Sequence, residues 1–269
     1  MRTLYLSDLD GTLLRSDQRL SPFTIDTLNR LISQGMLFSY ATARSYITAS
    51  RVTKGITPPI PVIAYNGAWM LENGTGRVLS RHSFTAEETQ DIFDTLTAHD
   101  VWPIVYAVAD GTERFSFCPE RCTPGMRDFN ATRRGDPREH PTDERHLCDG
   151  EAFYFTCIDR PEKLLPLYER YRDVFQCVYS QDIYGSGQWL ELMPREATKA
   201  SAMLELIRML GCDRVVCFGD GENDLSLFAA ADEGYAVANA VDSLKRAATA
   251  VIGGNDEDGV ALWLMENAQ

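Results

Sequence analysis

Short apolar runs alternate with polar clusters along this chain, and each cluster begins where a run stops. Residues 3–6 form an apolar run that ends in Ser7-Asp8-Leu9-Asp10-Gly11-Thr12, which predicts a buried strand feeding a loop. Ser21-Pro22 supplies an N-cap followed by proline at the first helical position, Ile25, Leu28, Leu31 and Ile32 keep helical spacing, and Gly35 ends the helix. Residues 36–41 predict a second strand that ends at Thr42, and residues 61–64 a third that ends at Tyr65-Asn66-Gly67. The pattern returns near the C-terminus. Ala200, Met203, Leu204, Ile207 and Leu210 make a helical stripe closed by Gly211. Residues 215–218 then predict a buried strand that stops at Gly219-Asp220-Gly221-Glu222-Asn223-Asp224, with a helix from Leu225 and short strands at 235–238 and 250–252. Strand–helix–strand alternation of this kind predicts an α/β fold with a doubly wound parallel sheet.

The middle of the chain breaks the alternation. Thr85 and Glu88 form a capping box ahead of a helix with Ile92, Phe93 and Leu96 on one face. Residues 104–108 and 114–118 read as paired strands around Asp110-Gly111. Residues 119–150 are rich in charge, Pro and Gly and show weak periodicity. Strands at 152–158, 174–180 and 188–193 and a helix at 161–172 follow. The expected organisation is an α/β core from residues 1–82 and 189–269, with an inserted α+β cap domain at 83–188.

Composition narrows the function classes. The chain carries 26 basic and 39 acidic residues, a formal net charge of −13. Such a surface repels phosphate backbones and anionic membranes, so no nucleic-acid or membrane partner is expected. No window holds ~18 uninterrupted apolar residues, and the N-terminus enters a strand-like run instead of a leader, so a cytoplasmic protein is expected. The seven cysteines are an odd number in a chain of this size, which speaks for reduced thiols. Cys118 and Cys122 stand in a C-x3-C pair to which Cys148 with His140 or His146 could add zinc ligands, but the spacing is loose and reduced structural thiols are expected. His82, His99, His140 and His146 form no ligand pattern, and nothing in the residues sets an oligomeric state.

The candidate chemistry lies at the strand ends. In an open parallel sheet the carboxyl ends of the strands face one crevice. Asp8 and Asp10, Thr42, Asn66, and Asp220, Asn223 and Asp224 would meet there from segments over two hundred residues apart. Asp8 and Asp10 are two apart, so extended backbone points both carboxylates the same way. Gathered carboxylates repel and bind protons more tightly unless a cation intervenes; a hard ion with oxygen ligands, Mg²⁺, suits a site that also takes phosphate.

Asp8-Leu9-Asp10-Gly11-Thr12-Leu13-Leu14 resembles the first motif of the haloacid dehalogenase-like (HAD) hydrolase superfamily. Thr42, Lys199 and Gly219-Asp220-Gly221-Glu222-Asn223-Asp224 match its second, third and fourth motifs in order. The long insertion, the tract Ala64-Tyr65-Asn66-Gly67-Ala68 and the length resemble its Cof-like subfamily of sugar-phosphate phosphatases. The resemblance implies a Mg²⁺-dependent phosphatase acting on a small phosphate ester. Asp8 would be the nucleophile, Asp10 the general acid and then base, and Lys199 the charge that neutralises the phosphoryl oxygens. Thr42, Ala43, Lys199 and Asn223 would bind phosphate. Asp8, the Asp10 backbone carbonyl, Asp220 and Asp224 would hold the metal. Arg44 and Asn66 are possible substrate contacts. The family commonly has Thr-Gly-Arg where this chain has Thr42-Ala43-Arg44, which puts a direct Arg44–phosphate contact in question. Two rival readings share these residues: a phosphomannomutase-like phosphotransferase, and a non-catalytic sensor of phosphate ligands.

Overall fold

The computed structural model describes residues 1–181 and 187–268. The chain divides into two compact units, Met1–Arg81 with Ala197–Gln269, and His82–Glu196.

The first unit is built on a five-stranded parallel sheet. Its order is Ala250–Ile252, Glu233–Val237, Arg214–Gly219, Thr3–Ser7, Leu37–Tyr40. Leu4 pairs with Val215 on one side and Leu37 on the other, and Ser7 with Phe218 and Tyr40. Leu4, Leu6, Phe38, Val216 and Phe218 are fully buried, as strands covered on both faces require. A parallel bridge from Ala41 to Ile63 then leads to an antiparallel sheet of Val62–Ala64, Trp69–Leu71 and Val78–Arg81. This is the expected α/β core. Its helices start and stop where the sequence places the signals. The Ser21 hydroxyl accepts from Thr24 N at 2.9 Å ahead of Pro22–Ser33, and Gly211 ends Lys199–Leu210 at φ +62°.

The second unit carries a six-stranded mixed sheet in the order Gln176–Gln181, Gln188–Met193, Glu151–Asp159, Ile104–Ala109, Thr112–Phe117, Glu139–Pro141. Helices Ala86–Ala98 and Pro161–Tyr171 bury Ile92, Leu96, Leu164 and Leu167 in one cluster with Val105, Phe155 and Leu190. The Thr85–Glu88 capping box forms in both directions, at 3.1 and 2.8 Å. Two placements differ from expectation. Strand Gln188–Met193 is hydrogen-bonded on both edges inside this sheet, so residues 189–196 belong to the second unit and not to the core. The 119–150 stretch is not irregular throughout: Thr123 caps a helix at Pro124–Ala131. Only Met126 and Phe129 mark its buried apolar face, too few to read as a stripe. Among the described residues, no helix is long and apolar enough to cross a membrane.

Candidate active site

Residues from four strand ends of the first unit meet at the carboxyl edge of its parallel sheet. Asp8 follows Thr3–Ser7 directly, and its N–H still donates to Phe218 O at 2.9 Å, which fixes the start of the loop to the neighbouring strand. The chain then turns sharply through Gly11 at φ +74°. A β-carbon at Gly11 would collide with the Asp220 carboxylate, so glycine is required both by the turn and by the close approach of Asp220. The Thr12 hydroxyl donates to Asp220 Oδ1 at 2.7 Å and ties the two motif loops together.

Lys199 is the cation of the site. It opens the helix Lys199–Leu210 behind its N-cap Thr198, and only 1% of it is exposed. Its Nζ lies 2.8 Å from Asp8 Oδ1 and 2.7 Å from Asp224 Oδ1. Asp224 is fully buried, and its Oδ2 also accepts from the N–H groups of Asp220 and Gly221, each at 3.1 Å. Asp224 therefore shapes the loop that carries Asp220 while it holds Lys199. Its Oδ1 keeps a lone pair for a further partner.

Asp8, Asp220 and Asp224 each offer a carboxylate oxygen, all within 4.8 Å of one another. Burial raises the Asp8 pKa well above the usual carboxylate range; Lys199 opposes the shift, and Asp224 and Asp220 add to it. Burial likewise pushes Asp220 up to about 6, against the Thr12 hydrogen bond and with help from Asp224. Burial alone would lower the Lys199 pKa, but Asp224 and Asp8 outweigh it, and the ammonium stays charged. One lysine thus faces three carboxylates. Two like charges at ~4 Å repel by about 4 kcal/mol at an effective dielectric near 20, so the cluster calls for a second cation. The donors are all oxygen, with no thiol or imidazole among them, which fits Mg²⁺ and not zinc.

Asp10 departs from expectation. The chain leaves the extended form before Asp10, and its carboxylate points to Arg44 instead of joining Asp8. Arg44 Nε donates to Asp10 Oδ2 at 2.7 Å and Nη2 to Oδ1 at 2.5 Å, while Nη2 also donates to Gln18 Oε1 at 2.8 Å. Among the described residues three carboxylates converge in the acidic group, not the four anticipated from strand ends. Arg44, a possible substrate contact on the sequence, donates to Asp10 and Gln18.

The remaining predicted residues fall on the same rim. Thr42 is fully buried, and its N–H and C=O bridge to Ile63 O and Asn66 N at 3.0 and 2.9 Å. Its hydroxyl accepts from Arg44 N at 3.1 Å. Ala43 is exposed. Asn66 takes φ +53°, and its Oδ1 accepts from Asn223 Nδ2 at 3.1 Å, linking the third and fourth strand ends. Thr12 stood in the sequence motif without a role, and Gln18 carried no signal, because its contact to Arg44 exists only through the fold.

The sequence profile of haloacid dehalogenase-like hydrolases matches residues 5–264. The chain is 26% identical over 268 residues to the 5-amino-6-(5-phospho-D-ribitylamino)uracil phosphatase of Bacillus subtilis, covering 96% of this chain and 95% of that one. It is 27% identical over 271 residues to the HMP-PP phosphatase of Serratia proteamaculans, with coverage of 98% and 94%. A solved haloacid dehalogenase-like hydrolase from B. subtilis superposes with a TM-score of 0.77 at 23% identity, over 100% of both chains. With its motif residues gathered on one sheet edge and this match along its length, the chain belongs to the haloacid dehalogenase-like hydrolases.

Proposed function

We propose that this protein is a Mg²⁺-dependent phosphatase of small phosphate monoesters, sugar phosphates foremost, and that it works through an aspartyl-phosphate on Asp8. The observation that carries the reading is the buried Lys199 held between Asp8 and Asp224, beside Asp220. A lysine so placed favours the ionised, nucleophilic form of Asp8 against the burial that raises its pKa, and it faces the negative charge that a phosphoryl group brings. The names of the two curated relatives support the substrate class, since both are phosphatases of small molecules.

Asp8 attacks phosphorus, the bond to the ester oxygen breaks, and Asp10 gives its proton to the leaving alkoxide. Water then attacks phosphorus and passes a proton to Asp10, and the bond to Asp8 breaks to release phosphate. Lys199, Thr42 and Asn223 hold the phosphoryl oxygens, with Ala43 contributing backbone. Mg²⁺ would be held by Asp8, Asp220 and the Asp10 backbone carbonyl, with Asp224 acting through its remaining lone pair or a water. When bound, the ion supplies the positive charge that the acidic group lacks. In an acidic protein this local charge answers an anionic substrate where the surface cannot.

Asp8→Asn tests the nucleophile. Hydrolysis of p-nitrophenyl phosphate in Mg²⁺ is expected to fall by about 10⁴-fold or more, with unfolding temperature near that of wild type. Wild-type turnover in the folded variant overturns the assignment.

A further inference from the structure

Asp8, Asp10 and Asp220 sit on two loops, and both loops are tied to a third segment that no motif names. This segment, residues 238–241, follows the strand Glu233–Val237. Asn239 Nδ2 donates to the Gly11 carbonyl at 2.7 Å. Asn239 Oδ1 accepts from Asn255 N at 3.0 Å, and Asn255 Nδ2 donates in turn to the Leu14 carbonyl at 3.0 Å. Two asparagines therefore hold two carbonyls of a single turn, which Leu14 N closes onto Leu9 O at 2.8 Å. Two residues past Asn239, Val241 N donates to the Asp220 carbonyl at 2.9 Å. One short segment thus grips the loop of Asp8 and Asp10 on one side and the loop of Asp220 on the other.

We propose that Asn239 is a positioning residue: its amide N–H sets the turn at Gly11 and so the placement of Asp10 relative to Asp8 and Asp220. The inference rests on the phosphatase reading for its effect on turnover, but not for its effect on the loop. Polarity matters here. The Gly11 carbonyl can only accept, so position 239 must donate to it; the Asn255 N–H can only donate, so position 239 must also accept. Asparagine meets both demands with one side chain. Asn239 is itself exposed, so its truncation opens no cavity in the buried sheet.

The test compares Asn239→Ala and Asn239→Asp with wild type. Asn239→Asp keeps the acceptor for Asn255 and loses the donor to Gly11. Amide hydrogen exchange at Leu14 is followed against Val216 in the central strand, and p-nitrophenyl phosphate hydrolysis is measured in Mg²⁺. In both variants exchange at Leu14 is expected to rise ~10-fold, the equivalent of one lost hydrogen bond, with Val216 unchanged. The kcat is expected to fall ~10-fold with KM within about twofold of wild type. Unchanged Leu14 exchange, unchanged kcat, a wild-type Asn239→Asp, or faster exchange at Val216 as well would each overturn the proposal. A wild-type protein that turns over no ester while Leu14 responds as stated would sink the phosphatase reading and the role in turnover with it, leaving the loop contact standing.

Discussion

Arg44 occupies both carboxylate oxygens of Asp10, with Nε on Oδ2 at 2.7 Å and Nη2 on Oδ1 at 2.5 Å. The pair is fork to fork, so it fixes direction as well as distance. It joins the loop after the second strand to the loop after the first, and Gln18 steadies the arginine from a third side. In the proposed mechanism Asp10 handles the proton, and Arg44 would fix where its carboxylate lies, since Asp10 stands outside the acidic group formed by Asp8, Asp220 and Asp224.

Arg44→Lys is therefore expected to behave more like Arg44→Ala than like wild type. Lysine keeps the charge but cannot span two oxygens in one plane. With p-nitrophenyl phosphate in Mg²⁺, kcat/KM should fall ~10–100-fold in both variants, less than the ~10²–10⁴-fold that a positioned acid–base group contributes in full, because Asp10 itself remains. Full activity in Arg44→Lys would mean that only the charge of Arg44 matters.

The acidic group would also set how binding of the proposed Mg²⁺ depends on pH. Burial holds the Asp8 pKa above its unfolded value and pushes Asp220 up to about 6. In metal-free protein the folded state therefore binds more protons than the unfolded state between about pH 4 and the folded values. Stability contributed by these groups is present at low pH and is lost as pH rises through that window. Mg²⁺ competes with those protons, so it should stabilise little at pH 5 and strongly at pH 7.5. Unfolding temperatures in EDTA and in Mg²⁺ at the two values check this. Equal stabilisation at both would show that the carboxylates are not what the ion binds.

Lys199→Ala removes the cation from between Asp8 and Asp224. Breaking a buried pair from one side costs about 3–5 kcal/mol, because the partner charges remain buried. Denaturant unfolding in EDTA should show a loss of that order, and turnover should fall to background. Mg²⁺ should recover part of the stability but not the activity, since the ion replaces charge and not the ammonium on Asp8. A variant as stable as wild type in EDTA would contradict the buried pairing.

Local signals in the sequence proved reliable where one or two residues settle the matter. Asp110-Gly111 predicted a hairpin, and both residues take positive φ, 52° and 73°, between strands paired through Ala109 and Thr112. Strand ends loaded with Asp and Asn marked the rim, because the carboxyl ends of parallel strands face one crevice. What stayed hidden depends on distance or direction. The chain leaves the extended form between Asp8 and Asp10, so the Asp10 carboxylate meets Arg44 instead of joining Asp8, and no spacing rule for extended backbone foresees it. Strand Gln188–Met193 reads as apolar whichever sheet it joins, and only its pairing with Glu151–Asp159 assigns it. Asn239 and Asn255 look like ordinary loop residues until the carbonyls of Gly11 and Leu14 are seen beside them.

Gly67 offers a test of how closely the rim is packed. It takes φ +103°, and a β-carbon there would collide with the carbonyl of Thr198, the residue that caps the helix of Lys199. Gly35 has nearly the same φ, +102°, but a β-carbon there would stand in open space, with no atom of the described residues within 4 Å. Alanine at either site meets the same backbone penalty of about 1–2 kcal/mol for a left-handed residue. Only at Gly67 must the start of the Lys199 helix also move. Gly67→Ala should therefore lose kcat far beyond its loss of stability, by ~100-fold if Lys199 is displaced by about 1 Å. Gly35→Ala should lose stability alone. Equal kinetics in the two variants would mean that the Asn66–Gly67 turn does not set the position of Lys199.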